Sequence, residues 1–279
     1  MTQSADRSTS PHRRWIIGLT AAILVLIVAA VLLTSTLVRE SSLKHSPASV
    51  GAVSEEQLAA LPELRPDATI DGLVDFTAPR IPDTTGSVYT VIADTPVFGG
   101  ANGDTPVARI GPLNELGSAT SLVIVEQTGR WSLVLTPSAN GTGASQTAGW
   151  VLTDALQRGQ DLPHHVEIAL DDSTLSIVDA DGAVQFTSVI ELADKPSVPA
   201  GLGYIHARYT TTSGDDPSEP VTLTSLHAPA PFSDLDGSSI ALHVASPEPT
   251  DDFRGAIAMN DEAAERINAL PIGTMILIK

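Results

Sequence analysis

Apolar and polar positions follow three regimes along this chain: one uninterrupted apolar run, a punctuated spacer, and a long zone of short alternating runs. The uninterrupted run is "WIIGLTAAILVLIVAAVLLTSTLV", Trp15 to Val38, 24 residues without a charge. At a rise of about 1.5 Å per residue, a helix of that length crosses a hydrocarbon layer of about 30 Å. The apolar part of a cleaved signal peptide is shorter, about 7–15 residues, and ends in a small-residue cleavage site. "TSTLVRE" offers no such site, so the run is read as an uncleaved transmembrane helix. Arg7, Arg13 and Arg14 precede it, whereas Arg39 and Lys44 follow with Glu40 between them. The positive-inside rule then predicts a cytoplasmic N-terminus (1–14) and an extracytoplasmic remainder, a single-pass protein of the cell membrane.

Residues 39–82 are rich in Ser, Pro and Ala, with "RPDAT" and "TAPRIPDTTG" as breakers, and are read as a linker. Within them "SEEQLAALPEL" predicts a short helix capped by Ser54. From 83 to 158 the pattern changes to short β-prone runs, "SVYTVIA", "TPVFGG", "PVARIG", "TSLVIVEQ", "RWSLVLT" and "AGWVLTDAL", separated by Gly- and Asn-rich turns. Short strands at close spacing predict a small barrel. From 163 to 279, "HHVEIALDDSTLSIVDADGAVQFTSVIEL" alternates with period two, and its "DADG" (Asp179 to Gly182) marks a hairpin. "PVTLTSL" and "SSIALHV" continue the strands. At the end Asn260 caps a helix whose face is Ala263, Ala264, Ile267 and Leu270; Pro271 and Gly273 stop it, and "TMILI" is a last buried strand. The fold class is mostly β, with one short C-terminal helix.

Charge narrows the partners. The chain has 15 basic and 33 acidic residues. Residues 1–50 hold five basic and two acidic ones, leaving 10 basic and 31 acidic, a balance of −21, for the remainder. Such a surface repels nucleic acid and anionic lipid. There is no cysteine, which removes disulfides, thiolate metal sites and cysteine nucleophiles together. The seven histidines are scattered with no H-E-x-x-H spacing, and His164 and His165 lie side by side on opposite faces of a strand, so neither metal nor cofactor is implied.

The order of features over 83–158, a "TPV" strand, a Gly-rich turn, a "GRWSLV" hairpin and a closing "GWVLTDAL", resembles a bacterial SH3-like domain. In such a domain Trp131 and Trp150 are candidate ligand-binding aromatics, with buried packing as the other role open to each ring. Residues 163–279 resemble the catalytic domain of L,D-transpeptidases of the YkuD type, enzymes that crosslink peptidoglycan stem peptides. The resemblance rests on the opening hairpin, on "PSVPAGLGYIHA", on a strand ending at His243-Val244, and on "FRGAIA" (Phe253 to Ala258) where that family carries Ser-His-Gly-Cys-(Ile/Val)-Arg. It continues through "MNDE" and "GTMILI".

That resemblance implies a covalent mechanism: a cysteine thiolate attacks a donor carbonyl, a histidine takes the thiol proton, and backbone N–H groups hold the oxyanion. In this chain Ala256 stands at the nucleophile's place, Arg254 at the base's and Ala258 at the signature arginine's, while His243 and Gly255 remain. A methyl has no lone pair and a guanidinium does not deprotonate in this range. The resemblance thus implies a catalytically inactive cell-wall protein whose partners are peptidoglycan or cell-wall proteins. The alternative is an acyl transferase of the same class with a non-cysteine nucleophile. Ser233, Ser238, Ser239 and Ser246 lie near His243 in sequence, but none sits in a G-x-S-x-G elbow.

Overall fold

Runs of β-branched and aromatic residues, cut by Gly, Asn and Asp, form strands wherever they can bury one face. The computed structural model describes residues 53–103, 105–192, 198–211, 219–228, 239–245 and 256–279, and within them such runs make two β assemblies. The expected transmembrane helix over 15–38 lies outside the described residues; among the described residues no helix is long and apolar enough to cross a membrane.

The first assembly is a sheet of β1 (Val74–Asp75), β2 (Ser87–Val91), β3 (Thr95–Phe98), β4 (Pro106–Ile110), β5 (Leu122–Thr128), β6 (Trp131–Thr136), β7 (Thr147–Leu152) and β8 (Leu156–Asp161). Its order is β4-β3-β7-β6-β5-β2-β8, with β1 on β7. As a hydrogen-bonded path it stays open from β4 to β8, where the short-strand pattern predicts a small barrel. The β4 edge is covered differently: Glu63 bridges Arg109, and Leu64 N–H donates to the Arg109 carbonyl at 3.0 Å. Val97, Ile110, Leu122, Ile124, Val134 and Val151 fill the core beneath.

The described part of the 39–82 segment, read from sequence as a linker, packs in part on the first sheet. α1 (Glu55–Ala59) has its capping box, Ser54 with Gln57. Beyond it the chain packs on the sheet: Ile70 and Leu73 are 3% and 6% exposed and join its core. Ile70 N–H donates to the Ala139 carbonyl and Ala139 N–H to that of Ala68, both at 3.0 Å. A Pro- and Ser-rich segment is a free tether only when it has no apolar anchors, and two buried side chains with paired backbone suffice to hold this one.

The second assembly is a closed barrel of β9 (His164–Ala169), β10 (Thr174–Asp179), β11 (Val184–Leu192), β12 (Gly201–Thr211), β13 (Glu219–His227), β14 (Ser239–Val244), β15 (Ala256–Met259) and β16 (Met275–Ile278). Around it the order is β10-β11-β15-β14-β13-β12-β16-β9. The β10–β11 hairpin turns where the sequence predicts: Asp179 Oδ1 accepts from the N–H groups of Asp181 and Ala183 at 3.0 and 2.8 Å, and Gly182 has φ +82°. The helix α2 (Asp261–Ala269) starts at Asn260, whose Oδ1 accepts from Ala263 N–H at 2.9 Å. Ala263, Ala264, Ile267 and Leu270 are buried against the barrel core, as their spacing predicts.

The two assemblies share a seam. Leu202 and Tyr204 of β12 and Met275 and Leu277 of β16 pack against Val123, Val125, Leu133, Leu135 and Ala148 of β5, β6 and β7. Polar side chains join across it: Ser225 Oγ donates to Gln146 Oε1 at 2.6 Å, and His227 Nε2 lies 2.7 Å from the Pro137 carbonyl.

Candidate functional site

Strand periodicity places the residues singled out at the C-terminal signature. Ile257 and Met259 of β15, like Ile240 and Leu242 of β14, belong to the barrel core. Alternation therefore turns Ala256 and Ala258, and Ala241 and His243, to the opposite face. β14 and β15 run parallel, with Ala241 paired to Ala256 and His243 to Ala258. On the other side of β15, β11 runs antiparallel and sets Glu191 against Ala258. One face thus carries the row His243, Ala258, Glu191. Adjacent strands lie about 4.8 Å apart, so the α-carbons of His243 and Glu191 are about 10 Å apart with an alanine between them.

The chemistry of this face is limited. The Ala256 methyl is buried at 3% exposure, and His243 is half-buried with Nδ1 2.7 Å from the Val244 carbonyl. That contact directs one ring nitrogen to backbone at the end of β14, a strand-capping role. Ser239, the serine of the alternative reading that lies within the described residues, shares the face. Four residues of strand separate it from His243, about 13 Å. Its buried Oγ has no hydrogen-bond partner among the described residues. Arg254, Gly255, Ser233, Ser238 and Ser246 lie outside the described residues. Among the described residues no three His, Asp or Glu side chains are grouped to hold a metal ion.

The tryptophans have different surroundings. Trp131 is 1% exposed, stacks edge-on against Phe98 with centroids 5.1 Å apart, and donates from Nε1 to Asn102 Oδ1 at 3.0 Å. The ring is thus enclosed by packing partners, the geometry of a core side chain. Trp150 is half-buried and sits beside the apolar seam.

A second polar constellation escaped the sequence reading. The β4–β5 loop brings Glu115 to His206 of β12, whose Nε2 lies 3.0 and 3.3 Å from the two carboxylate oxygens. They line a small recess of about 10 Å³ with Leu64, Ile110, Leu113 and Pro137. Burial pushes the Glu115 carboxyl up, but the hydrogen bond and charge of His206, with a lesser pull from Arg65, hold it below the usual range. Tyr204, edge-on to His206, is raised by burial and by the Glu115 charge. Neither Glu115 in "GPLNELGS" nor His206 in "YIHARY" carries a local signal of the other, since 91 residues separate them.

No family model matches the chain, and no curated protein matches it. Similar solved structures exist. One is that of Bdellovibrio bacteriovorus Bd1075, 17% identical over 42% of this chain and 47% of that one, with a TM-score of 0.32. Another is a mutant L,D-transpeptidase of Enterococcus faecium, 17% identical over 44% and 55%, TM-score 0.28. A third is L,D-transpeptidase 1 of Mycobacterium tuberculosis, 14% identical over 47% and 77%, TM-score 0.32. The chain spans about half the length of the first two structures.

Proposed function

We propose that this chain is a membrane-anchored, extracytoplasmic L,D-transpeptidase-like protein that has lost acyl transfer and works in the cell wall by binding peptidoglycan or a cell-wall enzyme. The anchor is the Trp15–Val38 run, and an SH3-like 83–158 region stands between it and the 163–279 barrel. The observation that carries the reading is Ala256: a buried methyl on β15, on the same face as His243, where the resembling family has its thiol. Covalent acyl transfer needs an atom that is first nucleophile and then leaving group, and a methyl is neither. Arg254 in place of the base removes the proton acceptor as well.

What remains is a sheet face with an imidazole, a carboxylate and small side chains between them, which suits binding without turnover. Two measurements test this. The purified protein should co-sediment with isolated sacculi, and retention no greater than that of an unrelated acidic protein overturns the binding role. Mass spectrometry after incubation with a carbapenem and with tetrapeptide stems should show the unmodified mass; an acyl adduct on any serine replaces this reading with that of an active transferase.

A further inference from the structure

The β4–β5 loop inverts the usual partition of side chains. Its acid is tucked in and its leucines point out: Leu113 and Leu116 are 57% and 44% exposed, while Glu115 between them reaches His206, which is 2% exposed. The loop keeps its own shape by local bonds. Asn114 Oδ1 accepts from the N–H groups of Leu116 and Ser118 at 3.1 and 2.9 Å, and Thr120 Oγ1 donates to the Gly111 carbonyl at 2.7 Å. None of these bonds ties the tip to the barrel. Both Glu115 oxygens do, through one nitrogen of one imidazole.

We propose that the Glu115–His206 pair is an acid-released latch, which holds the β4–β5 loop of the first sheet against barrel strand β12 while Glu115 is ionised and frees it when Glu115 takes up a proton. An ionised carboxylate only accepts, so His206 Nε2–H is the donor and the carboxyl is the group whose protonation weakens the pair. Its other nitrogen, Nδ1, is buried with no hydrogen-bond partner. Protonating Glu115 turns a charge-assisted bond, the one tie from the loop tip to the barrel among those described, into a neutral one of about half the strength, and the tip is then held only by its own local bonds.

Among the described residues, two other charged or titratable groups act on the pair. On β12 Tyr204 shares the buried side, its hydroxyl likewise without a partner. From the segment before β1, Arg65 acts on the carboxylate, with its own Nε engaged by Asp67 at 3.2 Å. Leu64, Ile110, Leu122 and Pro137, which complete the walls, bring no charge. Because the folded-state carboxyl lies below its ordinary value, the contribution of the pair is complete above that value and is lost as pH falls through the lowered one.

Hydrogen–deuterium exchange on the full-length chain tests the latch, with rates normalised to the intrinsic rate at each pH. Between about pH 7 and about pH 3.5, protection of peptides covering residues 111–120 should fall by about tenfold or more, while that of the β6–β7 hairpin, which carries no titratable side chain, holds. Glu115→Gln, which keeps size and polarity but cannot ionise, should show the low-protection state at both pH values. Unchanged loop protection in the native chain overturns the latch, and so does a parallel loss in the hairpin, which reports global acid unfolding. A Glu115→Gln chain as protected at neutral pH as the native one also overturns it. None of these readouts depends on cell-wall binding.

Discussion

Ser225 Oγ donates to Gln146 Oε1 at 2.6 Å, so barrel strand β13 and the turn that leads into β7 of the first sheet meet through two buried side chains. Gln146 Nε2 is engaged as well, donating to the Thr136 and Thr147 carbonyls at 2.9 and 2.8 Å. One amide therefore closes the β6–β7 hairpin and binds it to β13. Gln146→Ala leaves the Ser225 O–H without its acceptor, though Ser225 Oγ still accepts from Tyr204 N–H, and takes one donor from each of two carbonyls. Unsatisfied buried groups cost about 1–3 kcal/mol each, partly relieved by water and relaxation, so a net loss of about 2–4 kcal/mol is expected in urea melts. Both assemblies should still melt in one transition, because the apolar seam between them remains.

Gly273 bears on the same seam. Its φ is +95°, and a Cβ there would come within 2.8 Å of Val88 Cγ2 on β2. Gly273→Ala combines a backbone conformation unfavourable by about 1 kcal/mol with a contact that forces Val88 aside. A fall in melting temperature of several degrees is expected. A melting temperature equal to that of the native chain contradicts the close approach.

For Trp131 the packing and ligand-platform roles separate experimentally. Trp131→Ala removes a side chain of 1% exposure and should cost about 3–5 kcal/mol in urea denaturation. Trp131→Phe keeps most of the apolar volume but loses the bond to Asn102, and should cost less while leaving sacculus binding intact. Loss of sacculus binding in a stably folded Trp131→Phe chain assigns the ring to a ligand.

Acid should destabilise the fold in two stages of the same sign. Burial, as the largest influence, pushes His165 down, with Lys279 adding and Glu167 opposing. The unfolded chain then binds a proton at a pH where the folded one does not, so stability begins to fall as pH drops through the ordinary histidine value. Glu167 is lowered first by the Lys279 hydrogen bond at 2.8 Å, and its contribution is lost further down as pH falls through its lowered value. Urea midpoints measured across the acid range should decline throughout, and His165→Gln should flatten only the upper part. An upper part equally steep in that variant removes His165 from the account.

Ala256→Cys alone should not restore transfer. Its thiol would replace a buried methyl on the face shared with His243, and on the proposed reading Arg254 stands where the resembling family carries its base, which leaves the departing amine without a proton donor. Turnover of tetrapeptide stems should stay at background by chromatography, with at most a slow carbapenem adduct by mass. Brisk turnover in this single variant would mean that a base outside the signature is already in place.

The sequence by itself determined the local elements. Period-two alternation located the hairpin around Asp179–Gly182, and Asn260 with Ala263, Ala264 and Ile267 located the last helix, because caps and amphipathic faces are written within a few residues. It also determined what position 256 cannot do, since that follows from a methyl's chemistry alone. Tertiary structure decided the rest. Ile70 and Leu73 look like spacer residues until the sheet they anchor to is present, and there they join its core. Barrel closure joins β9 to β16 across more than a hundred residues, and no local pattern encodes that pairing. The row His243, Ala258, Glu191 exists only through the registers of β14, β15 and β11. Glu115 and His206 are ordinary surface and strand residues in one dimension; a loop folded over a seam makes them a partly buried pair, because desolvation and charge partners are properties of the assembled surfaces.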